Sequence, residues 1–137
     1  MAATAAMAAR LRLMVDEPTE TTYDDDMIDD YIEAQALMDV LGTNPHEVDY
    51  STTPPTLSEL DEWIPTYDLH AAAARIWEEK AAAIADEFDF KADGGSYTRS
   101  QKYEQYMMNS RRHASRRSAK TMKLWVEPRE IHTTEEV

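Results

Sequence analysis

The side chains that could do chemistry in this chain are four histidines, His46, His70, His113 and His132, and a surplus of carboxylates; cysteine is absent. A helix that seats a metal ion pairs ligands three or four positions apart, and no HxxxH or ExxH pairing occurs around any of the histidines. They read as ordinary surface or half-buried residues. The run "DDDMIDD" is as acidic as a calcium loop but lacks the glycine and the terminal glutamate that such a loop needs. Its carboxylates suit the solvated start of a helix, where they oppose the positive end of the dipole. No GxSxG elbow, phosphate-cradling glycine loop or nucleophile beside a base is present. The expectation is therefore no catalytic residue, no cofactor and no metal. Without cysteine, disulfides and thiolate sites are excluded, and neither an oxidising nor a reducing compartment is indicated.

Charge is the stronger signal. The chain of 137 residues carries a formal net charge of −13, yet residues 1–90 hold 21 Asp and Glu against 4 Lys and Arg, whereas residues 91–137 hold 6 against 10. Between residues 99 and 123, Arg99, Lys102, Arg111, Arg112, Arg116, Arg117, Lys120 and Lys123 stand against the single acid Glu104. Two readings compete. With Tyr103 and Tyr106 as stacking platforms the basic stretch could bind nucleic acid, but those tyrosines fall on the predicted core stripe and the total field repels phosphate. A polar molecule of this kind suits contact with an acidic protein surface, including that of another copy. The candidate residues for such contact are Arg111, Arg112, Arg116 and Arg117.

These residues must be carried by helices. "MAATAAMAARLRLMV" reads as a short helix, since it lacks the basic start and continuous apolar run of a targeting peptide. In "TTYDDDMIDDYIEAQALMDVLG", Thr22 and Asp25 form a capping-box pattern. Met27, Ile28, Tyr31, Ala34, Leu37, Met38 and Leu41 recur at helical spacing, and Gly42 and Pro45 mark the end. Residues 43–65 hold four prolines and are expected as an exposed arm, with at most a helical turn in "TLSELDEW" capped by Thr56 and Glu59. "YDLHAAAARIWEEKAAAIADEFDF" predicts the central helix, burying Leu69, Ala73, Ile76, Trp77, Ala81, Ile84 and Phe88. In "KADGGSYTRSQ", Gly94 and Gly95 permit a sharp reversal into a fourth helix that starts at Thr98 and runs to about Arg117. The fold expected is all-α, a small antiparallel helical bundle with a long Pro-rich loop.

One domain fits the length, with residues 1–118 as the helical part and 119–137 as an extended tail. No run approaches the ~20 apolar residues of a membrane span. In "KTMKLWVEPREIHTTEEV", Met122, Leu124 and Val126 alternate with Lys123, Trp125 and Glu127 up to Pro128. An alternating strand without an intramolecular partner suits docking on a foreign surface, with Lys120, Met122, Lys123, Leu124, Trp125 and Val126 as the contact residues.

"RLRLMVDEPTETTYDDDMIDDYIE", followed by "AAAARIWEEKAAAIADEFDFKADGGSYTRSQKYEQ" and an Arg-rich helix, resembles the head–tail connector proteins of long-tailed bacteriophages, also called adaptor or head completion proteins. The likeness spans about residues 10–118. It implies a structural virion protein made in the host bacterial cytoplasm, twelve copies of which form a ring at the head–tail interface. That ring would extend the DNA channel below the portal, complete the head after genome packaging and carry the neck or tail protein that follows. DNA would pass through during packaging and ejection without sequence-specific binding, and no membrane would be involved. In this family the carboxy-terminal extension commonly engages the portal, the place "TMKLWVEP" occupies here. The Pro-rich loop 43–65 is outside the family pattern and would meet an adjacent protomer or the downstream neck component. The competing expectation is a small helical nucleic-acid-binding regulator that uses the Arg-rich helix.

Overall fold

The Ala-rich opening forms α1 (Ala5–Met14), whose first turn is closed by the Thr4 hydroxyl accepting the Met7 amide at 3.3 Å. A computed structural model describes residues 3–85, 90–92, 95–97 and 99–119. At the end of α1, Asp16 enters the left-handed region at φ 56° and the Glu17 amide donates to the Arg12 carbonyl at 3.0 Å. This reversal returns the chain along its own helix. Arg12, only 8% exposed, gathers the returning segment. Its guanidinium donates to the carbonyls of Glu17, Thr19 and Tyr23 at 3.4, 3.1 and 3.0 Å and to Asp25 Oδ1 at 2.6 Å. The Asp25 carboxyl is held below its ordinary pKa chiefly by that hydrogen bond.

The acidic run opens α2 (Asp25–Glu33), but Asp24, not Thr22, is its cap, with Oδ1 accepting the Met27 amide at 2.8 Å. The helix also ends eight residues before Leu41, the last residue of the expected stripe. Tertiary pairing overrides the helical spacing there: Leu37 N donates to Thr66 O at 2.8 Å, Asp68 N donates to Gln35 O at 2.9 Å, and Ala36 forms a bridge with Tyr67. The chain is held extended against the segment that leads into the next helix. Gly42 is accordingly no helix cap; at φ 83° it turns a loop organised by Asp39. Asp39 Oδ1 accepts the Leu41 and Thr43 amides, and Oδ2 accepts the Ile64 amide at 3.0 Å. These amides, Ile64 first, hold its pKa down.

The Pro-rich arm contains a hairpin, β1 (His46–Asp49) paired antiparallel with β2 (Thr56–Glu59), in which Val48 lies opposite Leu57 and Asp49 opposite Thr56. Thr56 and Glu59, expected to cap a helical turn, are strand residues. Trp63, 5% exposed, anchors the return: its Nε1 donates to Leu37 O at 2.9 Å and its ring stands edge-on to Tyr67, centroids 5.5 Å apart.

α3 (Leu69–Ile84) starts at Asp68, whose Oδ1 accepts the Ala71 amide at 3.0 Å. It buries Ala72, Ala73, Ile76, Trp77 and Ala81, while Leu69 and Ile84 are half-buried; Phe88 lies outside the described residues. The main core is built from Leu11 and Val15 of the α1 end, Tyr23 of the connecting segment, Ile28 and Ile32 of α2, and Ala72, Ala73, Ile76 and Trp77 of α3. The end of α1 is tied to α3 by polar groups as well. Trp77 Nε1 donates to Met14 O at 3.1 Å, and Lys80 Nζ donates to Val15 O at 2.7 Å while pairing with Glu17 at 2.7 Å.

The link to α4 is not a bare glycine reversal. β3 (Phe90–Ala92) pairs antiparallel with β4 (Gly95–Tyr97), so Gly95 opens a strand opposite Ala92, and Gly94 lies outside the described residues. α4 (Arg99–Ala114) then runs antiparallel to α3: His70 meets His113, Ser110 Oγ donates to Ala74 O at 2.9 Å, and Tyr106 packs on Trp77 with centroids 5.2 Å apart. Among the described residues the architecture is mostly helical, four helices with two small antiparallel hairpins, so the helical expectation holds in its coarse form while the fold is not purely all-α.

Candidate functional site

The arginines singled out by type gather at the end of α4. Arg111 and Arg112 lie in its last turn, Arg116 and Arg117 just beyond, and all four are exposed. Among the described residues none of them forms an ion pair, whereas Arg12, Arg75 and Lys80 each meet a carboxylate of the same chain. The position compounds the charge, since cations near a helix C-terminus are favoured by the dipole.

Asn109, Arg112, His113 and Arg116 follow one another at helical spacing and, with Met14 from α1 and Trp77 from α3, line a cleft of about 300 Å³. The cleft combines an apolar floor with two guanidinium groups and an amide. Such a lining accepts an anion that carries an apolar neighbour, above all a carboxylate side chain in a peptide.

One wall is fixed by a pair of imidazoles. His70 Nδ1 and His113 Nδ1 are 3.0 Å apart with ring centroids 5.3 Å apart, the separation of two rings meeting nitrogen to nitrogen. One proton lies between them, so one ring donates and the other accepts. Burial, then His70, Arg112 and Arg116, push the His113 pKa below its ordinary 6.5, against a backbone contact with Met14. The unfolded chain therefore takes up this proton first as pH falls. Stability from the neutral His113 is present above pH 6.5 and is lost on acidification through its lowered folded value. Thermal melts at steps from pH 7.5 to 5 should show a falling midpoint in this window, and His113→Gln should flatten that part of the curve.

Asp68 closes the same end of the bundle. Besides capping α3 it accepts the Ser118 amide on Oδ2 at 2.6 Å, which fixes where the chain leaves α4. The expected docking residues Lys120, Met122, Lys123, Leu124, Trp125 and Val126 lie outside the described residues, as does Gly94. Sequence reasoning found the four arginines and missed Met14, His70, Trp77 and Asn109. The spacing from Asn109 to Arg116 was available as a signal; the approach of α1 was not.

Among the described residues no group of three or more His, Asp or Glu could hold a metal, and no helix is long and apolar enough to cross a membrane. Compared with known proteins, the chain matches no family model, and no curated protein or solved structure is significantly similar to it.

Proposed function

We propose that this chain is a head–tail connector of a bacteriophage virion, a structural protein without catalytic activity. Twelve copies form a ring below the portal, extend the DNA channel and present a platform to the neck or tail component. The sequence likeness supplies the family. The observation that carries the reading is the exposed arginine end of α4, which meets no carboxylate among the described residues in a molecule of net charge −13. Such a surface calls for an acidic partner, which a neighbouring copy or the portal provides. Twelve copies at −13 each make a strongly acidic conduit, in which DNA slides instead of being gripped. The regulator reading is weakened by Tyr106, which packs on Trp77 and is not free to stack on a base.

In the test, the full chain is mixed with purified portal and the complex mass is measured. The wild-type chain should give a ring on the portal. Truncation after Ala119 keeps the Ser118 bond to Asp68 and should leave helix content unchanged while sharply weakening portal attachment. Trp125→Ala should cost about 2 kcal/mol of binding as an interface anchor. A chain that ignores portal and instead binds duplex DNA as a monomer or dimer would establish the regulator. Undiminished attachment of the truncated chain would remove the tail from the docking mechanism.

A further inference from the structure

The β1–β2 hairpin packs against none of the four helices, and every residue of both strands is exposed. Its two faces differ. His46, Val48, Leu57 and Glu59 share one, and Glu47, Asp49, Thr56 and Ser58 share the other. Residues 43–65 carry five carboxylates and no Lys or Arg, and Tyr50, just past β1, is 79% exposed. Among the described residues Glu47 forms no ion pair, and the exposed Asp49 carboxylate is met only by Ser51, through its hydroxyl and its amide.

We propose that the Glu47–Asp49 face of this hairpin docks into the α4 cleft of a second copy, with Arg112 and Arg116 receiving the two carboxylates and Tyr50 covering the floor of Met14 and Trp77. Glu47 and Asp49, two apart on a strand, are separated by about 6.6 Å, and Arg112 and Arg116, one in the last turn of α4 and one just past it, line a single cleft. Among the described residues neither half of the contact forms an ion pair, and no contact between the hairpin and α4 forms within one chain. Two different patches that fit each other make a head-to-tail interface, which closes into a ring or runs on as a filament. A nucleic-acid backbone is the poorer occupant, because a chain of −13 repels it while the acidic hairpin of another copy brings its own match for the arginines. The inference rests on the self-assembly in the ring reading and names the surfaces that perform it.

His113 gives an internal reporter. Its pKa is lowered first by burial and then by His70, Arg112 and Arg116, so a docked hairpin, which changes both burial and charge, should move its titration midpoint.

The test is a charge exchange in the full chain, read by sedimentation with and without portal. E47R/D49R and R112E/R116E should each weaken self-association by roughly tenfold or more, and the four-residue combination should restore it. Circular dichroism of each variant, all changed at exposed positions, should match wild type. His113, followed by NMR, should titrate at a different pH in the assembled wild type than in E47R/D49R. If either paired variant assembles like wild type, or the exchange fails to restore assembly, this interface is wrong while a ring held by other surfaces stands. A wild-type chain that stays monomeric even with portal overturns both. Loss of duplex DNA binding in R112E/R116E with self-association unchanged would overturn the inference and give the cleft to phosphate.

Discussion

Trp63→Ala should lower unfolding stability by about 3–5 kcal/mol, the range for deleting a buried aromatic side chain. The indole is 5% exposed, stands edge-on to Tyr67 and donates its N–H to Leu37 O. Alanine leaves a cavity where the ring was and strands a carbonyl that had found its partner. Trp63 lies outside the main core of α1, α2 and α3, so the effect reports on coupling between the two. A loss of 3 kcal/mol or more in urea unfolding means that the 35–67 segment melts with the helices. A loss below about 1 kcal/mol would mean that this segment opens independently, and amide exchange at Leu37 and Ile64 would then rise without change in α3.

Arg12→Met should cost about 2–3 kcal/mol, by a different route. Methionine preserves the stem and most of the packing, so the loss isolates the guanidinium. Three carbonyls, those of Glu17, Thr19 and Tyr23, lose their donor, and the Tyr23 bond is the buried one. Asp25 is mostly exposed and recovers hydration cheaply. Arg12→Lys should recover only part of the loss, because a single ammonium lacks the planar fork that reaches several acceptors at once. Equal melts for the methionine variant and wild type would show that the 17–24 segment is held by Tyr23 packing alone.

Arg12 also shows what a sequence can and cannot disclose. α1, α3 and the body of α4 were legible because alanine content and three-to-four spacing act within one helix. The start of α2 was legible from its aspartates. Its end was not, since Leu37, Met38 and Leu41 continue the helical spacing, and the backbone bonds that break it come from Thr66, Tyr67 and Asp68 about thirty positions later. "HEVD" and "TLSE" are too short to show alternation, and the prolines between them disguise a hairpin as a loose arm. The same division governs the candidate site. Arginines on an exposed helix end declare themselves by type, whereas the cleft depends on Met14 and Trp77, which meet only once α1 has docked.

The polar ties at the end of α1 bear on how the chain is made. Ten residues are too few for a helix to persist alone in water, and the Met14 and Val15 carbonyls are secured by Trp77 and Lys80. α1 is synthesised before α3, and its ties to Trp77 and Lys80 follow more than sixty residues later, which at about 5–20 residues per second is a delay of seconds. During translation α1 is therefore held only by the Arg12 bonds to residues 17–25 and by α2, until α3 emerges and completes its anchoring.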